Sequence, residues 1–247
     1  AVGAFALSAE TLGDRNVAVG RGALQNQNNT SDTDVYNIAV GYNAGANVTT
    51  GTDNTIVGGL AGDALTTGAL NVAIGKAALS AEDTGSANVA VGHAALMSQN
   101  YNGSAYNTAV GHNAGTALIS GIQNTLIGGL AGDALTTGSN NIAIGVDALS
   151  AEIDGGRNVA IGKSALEDLN TDSNAYNVAI GHAAGANVTT GTQNTLIGGL
   201  SGDALTTGAF NVAMGYSALG LEDTGNKSVA IGYGALTTQN YDGDAYN

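Results

Sequence analysis

Apolar and polar positions along this chain fall into one short phrase: an asparagine, an apolar residue, a small residue, an apolar residue and a glycine, as in Asn71-Val72-Ala73-Ile74-Gly75. Successive side chains of a strand point to opposite faces, so Val72 and Ile74 share one face of a short strand and Ala73 takes the other. Both faces are apolar, the pattern of a strand covered on both sides in a parallel sheet or solenoid. The phrase returns 17 residues later at Asn88. Three gaps of 17 and one of 19 form a longer period of 70 residues, with super-repeats starting at Asn37, Asn107 and Asn177 and a further anchor at Asn247. End-to-end repetition of this kind predicts an all-β fold, a repetitive β-solenoid (β-roll) of 17–19 residue coils that runs through 1–247 as one continuous array.

Inside a coil, the expectation is that Val72, Ile74 and Leu79 fill the interior. Ala73 then faces outward, as do Ala18, Ala39, Ala90, Ala109, Ala143, Ala160, Ala179, Ala213 and Ala230, and makes a close contact with another chain around an axis. A thin coil buries little alone, so neighbouring chains supply the rest, and the predicted assembly is an obligate homotrimer. The asparagines form a ladder of stacked amides, and the glycine after each strand turns a corner at positive φ. About fourteen rungs at ~4.8 Å predict a rod roughly 65 Å long.

Composition narrows the core and the partners. With 39 Gly, no Pro, no Trp and 4% aromatic residues, the interior is packed with small side chains. The net charge of −14, with only six Lys and Arg, opposes binding to nucleic acid or to an anionic membrane. No apolar run reaches the ~18 residues of a membrane span, so no membrane insertion is expected. The absence of Cys excludes a disulfide framework and thiolate metal sites. Ala1, Val2 and Gly3 align with Ala73, Ile74 and Gly75, which reads as a start inside a coil and a cut through a longer array.

The phrases "NVAIG", "NIAIG", "SVAIG" and "NTAVG" resemble the head repeats of trimeric autotransporter adhesins, which form parallel trimeric β-rolls. "NTLIGGLAGDALTTGSNNIAIG" and "NVAVGHAAL" are similar to repeat arrays of phage tail fibres and related surface fibres. The resemblance covers essentially the whole chain, with a 17-residue unit in place of the shorter unit common in adhesin heads. It implies an extracellular structural shaft of a phage tail fibre, giving reach and stiffness for host attachment. The alternative it implies is a bacterial surface adhesin or filament of the same build.

Four polar inserts recur at the same phase: 25–36, 97–106, 167–176 and 237–246. Loops on a rigid scaffold often carry binding, so Tyr36, Tyr106, Tyr176 and Tyr246 are the candidate contacts to a host receptor, cell surface or glycan. The other reading is that each tyrosine packs over a bulge in the shaft. Asp32 with Asp34, and Asp242 with Asp244, have the start of a calcium-loop spacing but lack the closing Glu. His93, His112 and His182 follow strand glycines and would form rings in a trimer, yet Tyr42, Lys76, Lys163 and Tyr216 share that phase. The "GGLAGD" segments lack a nine-residue period and a following Lys, so they read as corners and neither as a calcium roll nor as a phosphate loop. Paired threonines before glycine read as turns more readily than as an ice-binding face. No Ser, His and acid constellation repeats, so no enzyme, cofactor or metal is assigned.

Overall fold

The anchor asparagine sets the phase of every strand. In the computed structural model, which describes residues 1–29 and 33–247, Asn71 is fully buried. Alternation then places Ala73 on the same inward face, and Ala73 is fully buried, while Val72 is half-buried and Ile74 exposed. The expected orientation is therefore inverted. Ala73 and the equivalent alanines from Ala18 to Ala230 line the interior, at 0–1% exposure, and the β-branched pairs point outward. Leu79 does lie inside, as expected.

Volume explains why alanine is the inward residue. The coil is narrow, and the strand faces two other inward positions, seven and eight residues after the anchor, filled by Ala78 and Leu79. Where the strand centre is large, as at Ile56, Leu126 and Leu196, the facing position is Gly62, Gly132 or Gly202, and Leu65, Leu135 or Leu205 closes the layer. The exchange also works between rungs. A Cβ on Gly45 would lie 2.8 Å from Ile56 Cδ1 and 3.1 Å from Leu24 Cδ2, so side chains of neighbouring coils occupy that space. Interiors packed this closely accept neither larger nor smaller residues freely.

The chain divides into two units, Ala1–Gln123 and Asn124–Asn247. The first stacks six three-residue strands, Val17–Val19, Ile38–Val40, Thr55–Val57, Val72–Ile74, Val89–Val91 and Thr108–Val110. The second stacks seven: Thr125–Ile127, Ile142–Ile144, Val159–Ile161, Val178–Ile180, Thr195–Ile197, Val212–Met214 and Val229–Ile231. Within each unit every strand pairs in parallel with the equivalent strand of the next coil, anchor to anchor, as in Val72↔Val89, Ala73↔Ala90 and Ile74↔Val91. The architecture is an all-β parallel solenoid, and no helix occurs among the described residues. In the first unit, the 21-residue coil adds a small parallel pair, Gly13–Asp14 with Thr33–Asp34.

Two local devices hold the rungs in register. The first is the asparagine ladder: Asn71 N–H donates to Asn54 Oδ1 at 3.0 Å and Asn88 N–H donates to Asn71 Oδ1 at 3.0 Å, while Asn71 Nδ2 donates to the Gly85 carbonyl at 2.9 Å. Direct amide-to-amide contact is longer, 3.2 Å from Asn71 Nδ2 to Asn54 Oδ1. Thus the buried amide mainly bridges backbone groups that the coil's corner leaves unpaired. The second device is the corner glycine. Gly75 sits at φ 132, and a Cβ there would lie 2.3 Å from the Gly92 carbonyl oxygen of the next rung. Past the corner, Ala77 and Leu79 take left-handed φ of 57 and 53. That turns their amides to opposite neighbours: Ala77 N–H donates to Gly59 O and Leu79 N–H to Ala95 O, both at 3.0 Å.

Candidate functional site

Each polar insert is fastened by a glutamate from the coil before it, buried in three of the four cases. Glu82, Glu152 and Glu222 are fully buried, and each stands eleven residues after its anchor. Oε1 of each accepts the N–H of a glycine three residues on, Gly85, Gly155 or Gly225, at 2.8 Å. The same carboxylates accept the N–H of the insert in the next coil: Tyr101 at 3.3 Å, Thr171 at 3.1 Å and Tyr241 at 3.2 Å. Glu10 does the same for Gly13 at 2.7 Å and Asn29 at 3.3 Å. The recurring "ALSAE" and "ALGLE" segments carry this latch, and their return at the 70-residue period is its signal in the sequence.

The latches divide by environment. Burial pushes the Glu82 and Glu152 carboxyls above the ordinary range, against the opposing pull of their backbone N–H donors. For Glu10, desolvation is outweighed by hydrogen bonds from Gln27, Gly13, Leu12 and Asn29 together, and its pKa falls from 4.5 to about 2. The signs are opposite. A carboxyl raised by folding binds its proton more tightly in the native chain, so Glu82 and Glu152 favour folding more as pH falls through their raised values toward 4.5. The contribution of Glu10 is complete above 4.5 and is lost as pH falls toward about 2. Urea titrations of Glu82→Gln between pH 7 and 5 are expected to show a smaller gain on acidification than the parent chain. Glu10→Gln is expected to flatten the loss below pH 4.5.

The four candidate tyrosines occupy one phase, the position just before the anchor, at left-handed φ of 53 to 56. They are exposed, at 47% for Tyr36, 61% for Tyr106, 47% for Tyr176 and 72% for Tyr246. Three are clamped by a cation from the preceding rung. Arg15 lies 5.4 Å from the Tyr36 ring centroid, Arg157 5.4 Å from Tyr176 and Lys227 4.9 Å from Tyr246. The cations also donate to the tyrosine hydroxyls, Arg157 Nη1 to Tyr176 at 2.7 Å and Lys227 Nζ to Tyr246 at 3.2 Å, as does Arg15 to Tyr36. Ala87 stands below Tyr106, so that ring has no such clamp from the equivalent position. Within each unit the tyrosines stand four rungs apart and do not converge on one point.

Two of the four aspartates considered for calcium, Asp34 and Asp244, serve the same clamps. Asp34 pairs with Arg15 and accepts from the Tyr36 hydroxyl at 3.2 Å, while Asp244 pairs with Lys227 at 2.6 Å and accepts from Tyr246 at 2.9 Å. Hydrogen bonds from Lys227 and then Tyr246 hold the Asp244 carboxyl below its ordinary range. Asp242 accepts from Thr224 at 2.9 Å. Asp32 lies outside the described residues.

Outside the inserts, the most prominent surface is the outward face of the sheet. Its two central columns hold Val, Ile and Thr, with Met214 in the second, and none of these strand positions is buried. Ile38, Ile74, Ile127, Ile142 and Ile180 are 37–40% exposed. Beside this stripe, His93 and His112 stack at 5.3 Å and Tyr216 and Tyr233 at 5.7 Å, all at the position after the corner glycine. Comparison with known proteins finds no matching family model, no matching curated protein and no matching solved structure.

Proposed function

We propose that this chain is a shaft segment of an extracellular homotrimeric fibre of the phage tail-fibre kind, a mechanical part that gives reach and stiffness for attachment to a host surface. The observation that carries this reading is the outward Val and Ile stripe, which continues over every rung of each unit. Partial exposure of two Val, Ile, Thr or Met side chains per rung leaves on the order of 600 Å² bare over the six or seven rungs of a unit, at or above the largest patch a monomer usually shows and close to one partner's share, ~800 Å², of a standard interface. A stripe two side chains wide on each of three copies closes around a common axis. Sedimentation equilibrium of the purified chain tests the reading: the expected mass is three times 24.1 kDa, and a monomer or dimer overturns it.

The second reading, a bacterial surface adhesin of the same build, is favoured by the glutamate latches, which hold the polar inserts in fixed positions on the outside of the stack. Under that reading, inserts with Tyr36, Tyr106, Tyr176 and Tyr246 replaced by Ser lose binding to target cells or glycan. Undiminished binding excludes these tyrosines as the contacts.

A further inference from the structure

Charge on the outward face is distributed differently from charge elsewhere on the chain. The apolar stripe is flanked by two columns, one formed by the residues just before each anchor asparagine, the other by the residues just after each corner glycine. All six Lys and Arg lie in these columns: Arg15, Arg157 and Lys227 in the first, Arg21, Lys76 and Lys163 in the second. The second column also holds all three histidines, and of the 20 Asp and Glu only Asp53 stands in either column. Seven of the 9 tyrosines are there too. An apolar centre with a margin rich in Tyr, carrying all three Arg and depleted of carboxylates, shares those features with protein interfaces. For copies that each carry −14, it also keeps the carboxylates, the charge they have in excess, away from where they approach.

The two columns also match in shape. The column after the glycine has a gap in every super-repeat, at Gly59, Gly129 and Gly199. Nothing lies within 4 Å of where a Cβ would stand on Gly59 or Gly129, and at Gly199 the nearest atoms are those of the Tyr216 ring, at 3.5 Å and beyond. The opposite column carries its exposed apolar residues, Leu70 at 62% and Phe210 at 50%, one rung after Gly59 and Gly199. Side chains of the first column then meet gaps, stacked rings or long flexible cations of the second when one rung faces the same and the preceding rung, with Arg15 beside Arg21 and Arg157 beside Lys163 as the two like-charged meetings. Tyr106 then meets the His93–His112 stack, and Lys227 the Tyr216–Tyr233 stack.

We propose that these columns form the seams between copies: the pre-anchor column of one chain packs against the post-glycine column of the next, which requires parallel copies in rung register. The proposal rests on the trimeric reading and adds the edge-to-edge pairing and its orientation. Each seam is heterologous, one edge against the other, as closure around a threefold axis demands.

Cysteine pairs in this cysteine-free chain test it. Leu70→Cys is combined with Gly59→Cys, or with Lys76→Cys, and the purified protein is oxidised with diamide. Within one chain these positions lie on opposite sides of the strand, roughly 15–20 Å apart, beyond the ~7 Å that a disulfide tolerates. At least one pair is expected to yield covalent dimers and trimers on a denaturing gel, with monomer only from each single variant. Sedimentation of the reduced variants is run in parallel. A three-chain mass without cross-linking from either pair overturns the seam and leaves the trimer standing, whereas loss of the three-chain mass in the parent chain overturns the trimer itself. Cross-linking of Leu70→Cys alone means that like edges meet and also overturns the proposal.

Discussion

Gly75→Ala is expected to cost about 4 kcal/mol or more, enough to break the coil stack at that rung. The corner has φ 132, a region essentially reserved for glycine, and the added methyl would lie 2.3 Å from the Gly92 carbonyl oxygen, a backbone atom fixed by its own rung. Neither difficulty can be relieved without moving the other: rotating φ back tilts the strand out of the parallel ladder, and shifting Gly92 breaks the next corner. Gly129→Ala is the control. It lies one residue after the corner Gly128, with nothing within 4 Å of the added carbon and only the long polar Gln123 and Asn140 facing it in the proposed seam, and is expected to change stability by less than ~0.5 kcal/mol. Urea unfolding followed by circular dichroism separates the two, and equal effects would refute the corner geometry.

The second large effect discriminates the two faces of one strand. Ala90→Thr places a branched side chain and a hydroxyl in the narrow interior, where Ala90 is fully buried, at an expected cost of about 3 kcal/mol from overpacking and an unpaired polar group. Val89→Thr, one residue earlier, is expected to cost less than ~1 kcal/mol. Its column already carries threonine at Thr55, Thr108, Thr125 and Thr195. The opposite ranking would restore the outward alanines expected from pattern alone.

That pattern was legible in period but not in phase. The 17-residue spacing, the coil, the interior Leu79 and the asparagine ladder follow from the sequence because repetition and spacing need no knowledge of facing. Which side of Val72-Ala73-Ile74 turns inward does not follow from hydrophobicity, since both sides are apolar. The information lay in Asn71: a column of amides that bridge the backbone of adjacent rungs is stable where water is excluded, so the anchor is inward and Ala73 goes with it. The left-handed residues were hidden for a different reason. Ala77 and Leu79 pass for ordinary helix or strand formers, and only the need to send successive amides to opposite rungs selects their φ. The tyrosines were found by their recurrence, but their clamps were not, because each cation stands 19 to 21 residues earlier, a neighbour only after the coil closes.

The direction of the inter-rung hydrogen bonds has a mechanical consequence. Strand and corner amides alike donate to the coil above or below, so a pull along the stack loads these bonds end-on and in series. The rung at the loaded end opens first, releases its own 17 or 19 residues of slack and passes the load to the next. A single thread of coils would thus ravel stepwise under low force. In three parallel copies joined along their sides, as proposed above, the same pull would load the lateral seams in shear, where many contacts would have to fail together.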